Sequence, residues 1–260
     1  MEAQVVIKEQ AQARWAGRHA DKDRLRHDVW QALENTGEGV GSPWSAIPNF
    51  RGSRQAAERL RELPMWSESQ VVKVNPDRAQ AWVRRLALED GKRVYTPIPE
   101  LVEDFPFLLL DPLQLSAQRA GFHDVMYSEG ALTYGQPVGF DEIEPIDICV
   151  VGSVAVAENG GRTGKGAGFA DLEMGIFRTL GILPETCPVI TTISEIQLVP
   201  AARVVIEAHD TPLDWIVTPQ RSLRVTTGHT RPGPVDWSKV REDQFRSIPF
   251  LCALRDQLSP

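Results

Sequence analysis

The chain has 260 residues, 42% hydrophobic and 24% charged, long enough to bury roughly three quarters of its unfolded surface without a disulfide or metal staple. That composition excludes long disorder, collagen-like repeats and low complexity. A formal charge of −7, from 35 acidic and 28 basic residues, excludes a chain-wide basic footprint for nucleic acid, but a local positive site for a small anion is compatible with it.

In chain order, Trp15, Leu25, Val29, Trp30 and Leu33 recur at helical spacing in a polar first stretch that ends near residue 36. Gly37, Gly39, Gly41 and Pro43 break it, and residues 37–52 read as a loop. Ser53 is the expected N-cap of a helix running to about Leu63, before Pro64. Residues 70–74 look like a strand. Pro76 is then placed in the first turn of a helix through Leu88 that Gly91 ends. Residues 93–96 and 107–110 read as strands, and residues 146–156, rich in β-branched side chains, read as one longer strand. A glycine-rich loop precedes a helix over about 170–180. Residues 189–193, 215–218 and 222–226 read as short strands, and 238–258 as helix interrupted by Pro249.

Strands alternating with helices predict an α/β domain with an open, mostly parallel sheet and flanking helices. No repeat or clean linker divides the chain. The expected organisation is one domain over 1–260, with an N-terminal helical and loop extension over about 1–52 and a C-terminal helical tail over about 230–260. Cys149, Cys187 and Cys252 are widely spaced and form no C-x-x-C pair, as expected of a reducing cytoplasm. Residues 1–15 have no continuous apolar core, so no signal peptide is expected, and the apolar runs are too short to span a bilayer.

Residues 159–171 carry the chemistry. Gly160, Gly161, Gly164, Gly166 and Gly168 lie among Arg162 and Lys165, with a strand before and a helix after. Glycines allow positive φ and close backbone approach, successive N–H groups form an anion nest, and the helix start adds a positive dipole end. With two cations added, the segment is suited to phosphate. Asp171, in the first helical turn, either holds Mg²⁺ or favours the helix start, and Glu173, two residues on, either aids metal binding or favours the helix start. It is not a Walker A loop, because Gly164-Lys165 is followed by Gly166 and Asn159 stands at the required first glycine. It is not a dinucleotide fingerprint either, because the third glycine is misplaced.

The string R-x-G-x-G-x-G-F-x-D from Arg162 to Asp171 resembles the signature of the 5-formyltetrahydrofolate cyclo-ligase (methenyltetrahydrofolate synthetase) family. Lys22-x-x-Leu25-Arg26, the Gly91-Lys92 to Pro97 stretch and the Glu207 to Thr218 stretch, with His209-Asp210 and Asp214, resemble three more of its motifs in order. Residues 47–52, 72–77, 151–156 and 164–173 are similar to its divergent branch, the methenyltetrahydrofolate-synthetase-domain-containing proteins. The resemblance implies a three-layer fold of the sugar-phosphate isomerase and CoA-transferase class. It also implies the MgATP-dependent conversion of 5-formyltetrahydrofolate to 5,10-methenyltetrahydrofolate, ADP and phosphate. By motif position it implies that Lys22 and Arg26 touch ATP, that Arg162, Lys165, Gly164, Gly166, Gly168 and Phe169 cradle its phosphates, and that Asp171 binds Mg²⁺. The sequence departs from the family at Phe169-Ala170, where relatives carry two tyrosines, at Ala167, where some carry a cation, and at 72–76, where the usual glutamate is missing.

Other residues have plainer readings. His209-Asp210 is favoured as a turn with Asp210 capping. The histidines show no paired zinc spacing. Ser153 is in no nucleophile elbow. Trp44, Trp66 and Trp82 are candidates for stacking on a pterin, though such residues usually pack in cores. Two alternatives stand beside the folate reading: a nucleotide-dependent enzyme on another small substrate, and a non-catalytic nucleotide- or folate-binding protein. Oligomeric state is not legible in the sequence.

Overall fold

A computed structural model describes residues 16–226 and 229–258. Trp15 lies outside them. In chain order the main elements are α1 (Ala20–Thr36), α2 (Ser53–Arg61), β1 (Val71–Val74), α3 (Ala81–Glu89), β2 (Arg93–Pro97) and β3 (Phe107–Leu110). Next come α4 (Pro112–Ala117), α5 (Phe122–Val125), α6 (Ser128–Tyr134), β4 (Gln136–Val138), β5 (Ile148–Val150), β6 (Ala155–Val156) and β7 (Arg162–Thr163). The chain continues through α7 (Phe169–Thr179), β8 (Val189–Thr192), β9 (Trp215–Val217), β10 (Ser222–Arg224), α8 (Glu242–Ser247) and α9 (Leu251–Leu258).

The main sheet has eight strands in the order β10-β9-β8-β5-β1-β2-β3-β4. Strands β9, β8, β5, β1 and β2 run parallel, and antiparallel pairs close both edges. Both faces are covered, so the central strands are apolar on both sides rather than alternating. Val72, Val74, Val94, Ile148, Val150, Ile190 and Val217 meet residues of α2 and α3, including Ala57, Leu60, Val83 and Leu86. Val71, Tyr95, Cys149, Val189 and Ile216 meet Met174, Ile176 and Phe177 of α7. The result is a three-layer α/β fold with a largely parallel sheet.

Side chains two apart on a strand share a face. Lys73 therefore lies on the same face as Val71, under α7, where it is fully buried. Its ammonium is 2.7 Å from Glu173 Oε2 and donates to Asn75 Oδ1 at 2.5 Å. Two charges leave water here only because they leave it as a pair. Burial raises the Glu173 carboxyl, against the opposing pull of Lys73.

Several boundaries differ from the sequence expectation. Gly52, at φ 83°, caps α2, and Ser53 is its first residue. Pro76 lies outside the helix it was expected to start: a 3₁₀ turn at Arg78–Gln80 precedes α3, because the residues after β1 turn away to line a cavity. The expected strand over 146–156 is split into β5 and β6, with Gly152 and Ser153 at the break. A Cβ at Gly152 would lie 2.9 Å from Asp77 Oδ2 and from Ile47 Cγ2. Ser153 Oγ hydrogen-bonds Thr191 Oγ1 at 2.9 Å, a structural role. Helices α4 to α6 and strand β4 have no counterpart in the sequence reading. β4 pairs with β3, and Arg84 ties the end of α5 to the residues after β1: its buried guanidinium donates to the Met126 carbonyl at 2.9 Å and to Pro76 O at 3.1 Å. Burial lowers that guanidinium to about 10.

The C-terminal tail enters the core. Ile248 and Leu251 are fully buried against the α7 side of the sheet, with Phe245, Phe250 and Leu254 packed around them. No helix among the described residues is long and apolar enough to cross a membrane.

Candidate functional site

The chain leaves β1 toward β2 on one side, whereas β5 returns on the other side of β1. In open α/β sheets, ligands bind beyond the carboxyl ends of strands at such a switch point. A cavity of about 620 Å³ lies there. Asn75 and Asp77 follow β1, Ile98 and Pro99 follow β2, Gly152 follows β5, and all of them line it. The loop between α1 and α2 adds Val40, Gly41, Ser42, Ala46, Ile47 and Asn49, and the wall that carries cations is the glycine loop with the start of α7: Arg162, Gly164, Lys165, Gly168, Phe169, Asp171 and Glu173.

Local backbone chemistry shapes that wall. Strands β6 and β7 form a two-stranded ribbon that carries Arg162. Gly160 makes the turn at φ 86°, where a Cβ would lie 2.7 Å from the Leu213 carbonyl oxygen. Gly168 is the left-handed N-cap of α7 at φ 76°, which leaves Asp171 in the first helical turn. Among the described residues, no hydrogen bond uses the N–H groups of residues 164–168 as donors. Unsatisfied N–H groups beside a helix N-terminus form an anion-binding concavity.

The cations divide into two kinds. Arg162 is buried and donates to Asp171 Oδ1 at 2.5 Å. Burial alone would lower its guanidinium, but the charges of Asp171 and Asp210 outweigh that and hold it above the usual arginine value. Asp171 Oδ1 also accepts the Thr211 N–H at 3.0 Å. Lys22 Nζ contacts Asp210 Oδ2 at 2.5 Å and Glu207 Oε2 at 2.8 Å. Arg26 Nε donates to the Gly164 carbonyl at 2.8 Å, and the Arg26 guanidinium pairs with Asp23. These three cations are committed to protein groups, and of them only Arg162 lines the cavity. Lys165 differs: it lines the cavity, is half-buried, and has no hydrogen bond or ion pair among the described residues. The structure therefore gathers all the sequence-predicted site residues around one loop, with Lys22 and Arg26 behind it.

Two further arginines hold the loop and escaped the sequence reading. Arg18 donates to the Gly166 carbonyl and pairs with Asp243 at 2.8 Å. Arg241 donates to the Ala167 carbonyl at 2.8 Å. Where the loop has alanine at 167, a cation thus arrives from the tail. Glu173, expected from the sequence to aid metal binding or to favour the helix start, instead pairs with the buried Lys73 beside the cavity. These residues lie far apart in sequence, and the only local signal was a charged residue at a buried helical position.

The tryptophans expected as stacking candidates do not reach the cavity. Trp44 packs on Trp30 with ring centroids 5.8 Å apart, Trp66 donates to Asp90 Oδ2 at 2.7 Å, and Trp82 lies under Arg54 and Arg85. Asp210 Oδ2 accepts the Glu207 N–H at 2.8 Å, the turn the sequence suggested. Glu207, His209 and Asp210 bring ligand atoms within 4.8 Å of one another, but the Lys22 ammonium already bridges the two acids.

The fold and the loop define a three-layer α/β protein with an anion-suited glycine loop at its sheet's switch point. Residues 18–219 match the model of the 5-formyltetrahydrofolate cyclo-ligase family, and the chain belongs to that family. It is 34% identical over 233 residues to a methenyltetrahydrofolate synthase domain-containing protein of Danio rerio, covering 89% of this chain and 60% of that one. It is 34% identical over 238 residues to the Homo sapiens protein of the same description, covering 90% and 61%. The chain thus spans about three fifths of the length of these relatives. The solved structure of Aquifex aeolicus 5,10-methenyltetrahydrofolate synthetase aligns with TM-score 0.50 at 21% identity, over 80% of this chain and 95% of that one, a likeness of fold.

Proposed function

We propose that the chain is an ATP- and Mg²⁺-dependent enzyme of the 5-formyltetrahydrofolate cyclo-ligase type, forming 5,10-methenyltetrahydrofolate, ADP and phosphate. The observation that carries this reading is Lys165, without a partner among the described residues, on an open N–H loop lining a cavity of about 620 Å³. The loop amides and Lys165 bind the terminal phosphates, and the reduced folate occupies the cavity beyond the strand ends. Lys165 offsets charge as the formyl oxygen takes the γ-phosphoryl group, and N10 then closes the ring as phosphate leaves. Holding the two reactants in line supplies most of the remaining gain. Arg162 fixes Asp171, while Lys22 and Arg26 brace the segments behind the loop.

Asp171 fits Mg²⁺: both of its contacts fall on Oδ1, so Oδ2 is available as a hard oxygen ligand. A bound Mg²⁺ there would neutralise phosphate charge. The free thiols are consistent with a reducing cytoplasm as the compartment.

Phe169-Ala170, where the resemblance implies two tyrosines, and the missing acid at 72–76 favour a second reading, a different small phosphoryl acceptor. ADP release by purified protein separates the two. Stimulation by 5-formyltetrahydrofolate supports the first reading. Stimulation by other metabolites but not by folate supports the second, and nucleotide binding with no ADP release under any condition excludes both.

A further inference from the structure

The cavity wall that follows β1 is backed by a buried cation. Lys73 is fully buried, with its ammonium 2.7 Å from Glu173 Oε2, and it donates to Asn75 Oδ1 at 2.5 Å. An ammonium only donates, so the atom turned toward it must be an oxygen. The two ends of a carboxamide fit the same space, and here the partner decides between them. Asn75 Oδ1 turns to Lys73, and Nδ2, with its two N–H bonds, turns away.

Every other polar group of Asn75 is already used. Its backbone N–H donates to the Val150 carbonyl at 3.0 Å, and its carbonyl accepts from Arg84. Nδ2 makes no hydrogen bond among the described residues. The residue is 8% exposed and lines the cavity at the switch point. A donor so poorly hydrated is costly to leave unmade, and an acceptor on a ligand satisfies it. Glu173 completes the device, because the Lys73 charge could not be buried alone. The helix that carries Asp171 therefore also sets the polarity of the wall after β1.

We propose that Lys73 and Glu173 are positioning residues for substrate specificity: they hold Asn75 with its amide N–H groups toward the cavity, so that this wall selects a substrate presenting a carbonyl oxygen. The assignment rests on the folate reading above and names the atom that is read. In 5-formyltetrahydrofolate the formyl oxygen is needed at the γ-phosphate beside Lys165. The glutamyl carboxylates, with the amide next to them, stay toward water. The carbonyl left for a nearly closed wall is the ring oxygen at C4.

The test is calorimetric titration of the chain with 5-formyltetrahydrofolate and with its 4-amino counterpart, in which an NH₂ donor replaces that oxygen. Wild type is expected to prefer the 4-oxo ligand by at least about tenfold, because the 4-amino group sets donor against donor. Asn75→Asp, with one oxygen on Lys73 and the other toward the cavity, is expected to reverse the order. Lys73→Met with Glu173→Leu frees the carboxamide to turn either end to the ligand, and the preference should fall to within about threefold while both ligands still bind. The double variant buries no charge, so it carries the test whether or not Asn75→Asp folds. A pair with a merely structural role would weaken both ligands in parallel and keep their ratio. An unchanged ratio in the double variant, or equal binding of the two ligands by wild type, overturns the assignment and leaves the folate reading standing. Wild type that binds neither ligand overturns both.

Discussion

At the scale of single residues, charges spent on the protein separate from a charge left for a ligand. Lys165→Ala should abolish ATP-dependent turnover yet shift folding stability by less than about 0.5 kcal/mol, as usual for a surface change without partners, and a denaturant titration run beside the assay checks both halves. Lys73 and Glu173 behave oppositely. Glu173→Gln strands a buried ammonium and should cost about 3–5 kcal/mol, whereas the double change Lys73→Met with Glu173→Leu should recover most of that loss. Chemical unfolding of both variants decides the matter. Lys22 holds the Glu207 carboxyl below its usual value through their hydrogen bond. An acid depressed in the folded state contributes stability that is present above its unfolded pKa of about 4.3 and is lost as pH falls through the folded value. Lys22→Met should therefore lower stability at neutral pH and flatten the acid limb of the stability curve, measured as melting temperature against pH. The ligand-facing residues, Arg162 to Asp171, were legible because glycines and cations crowd one short segment. Arg18, Arg241 and the pairing of Glu173 with Lys73 were not, because each acts on residues brought close only by the fold.

Among the elements, α7 links fold and site. Its apolar face carries Met174, Ile176 and Phe177 into the sheet, and its N-terminus closes the cavity. Gly168 makes that join at positive φ, and a Cβ there would sit 3.0 Å from the Arg241 guanidinium. Gly168→Ala should destabilise by about 1–2 kcal/mol, the usual left-handed penalty, and weaken nucleotide binding further by shifting Arg241. Thermal melts and titrations of this variant should show both effects. The strands and longer helices could be read from periodicity, but their ends could not. Pro76 looked like a helix start by local preference, yet the residues after β1 are needed at the cavity. The strand over 146–156 looked continuous because β-branched residues flank Gly152 and Ser153 on both sides. Helices α4 to α6 are too short to show periodicity, and the end of α5 is held by a distant buried arginine, Arg84.

For the whole molecule, sheet order and layering place the cavity at the switch point, and the tail braces the glycine loop beside it through Arg241. The alternation of strand and helix was enough to read the layers, but the tail's place in the core was not, since Pro249 made it look peripheral. Ile248 and Leu251 are fully buried, so removing residues 232–260 opens the α7 side of the core. Each large buried side chain lost to truncation costs about 2–5 kcal/mol, a sizeable share of a total near 5–15 kcal/mol. The shortened chain should lose cooperative unfolding, seen as a broadened or absent calorimetric transition. The proposed activity is that an open glycine loop, with Lys165 unpartnered among the described residues, activates a reduced folate through ATP. Its most direct test is the absorbance of 5,10-methenyltetrahydrofolate formed from 5-formyltetrahydrofolate and MgATP, with Lys165→Ala alongside. The account predicts ATP-dependent product with the wild-type chain and none with the variant. No product from the wild-type chain beside an active control cyclo-ligase, or equal product from both chains, would contradict it.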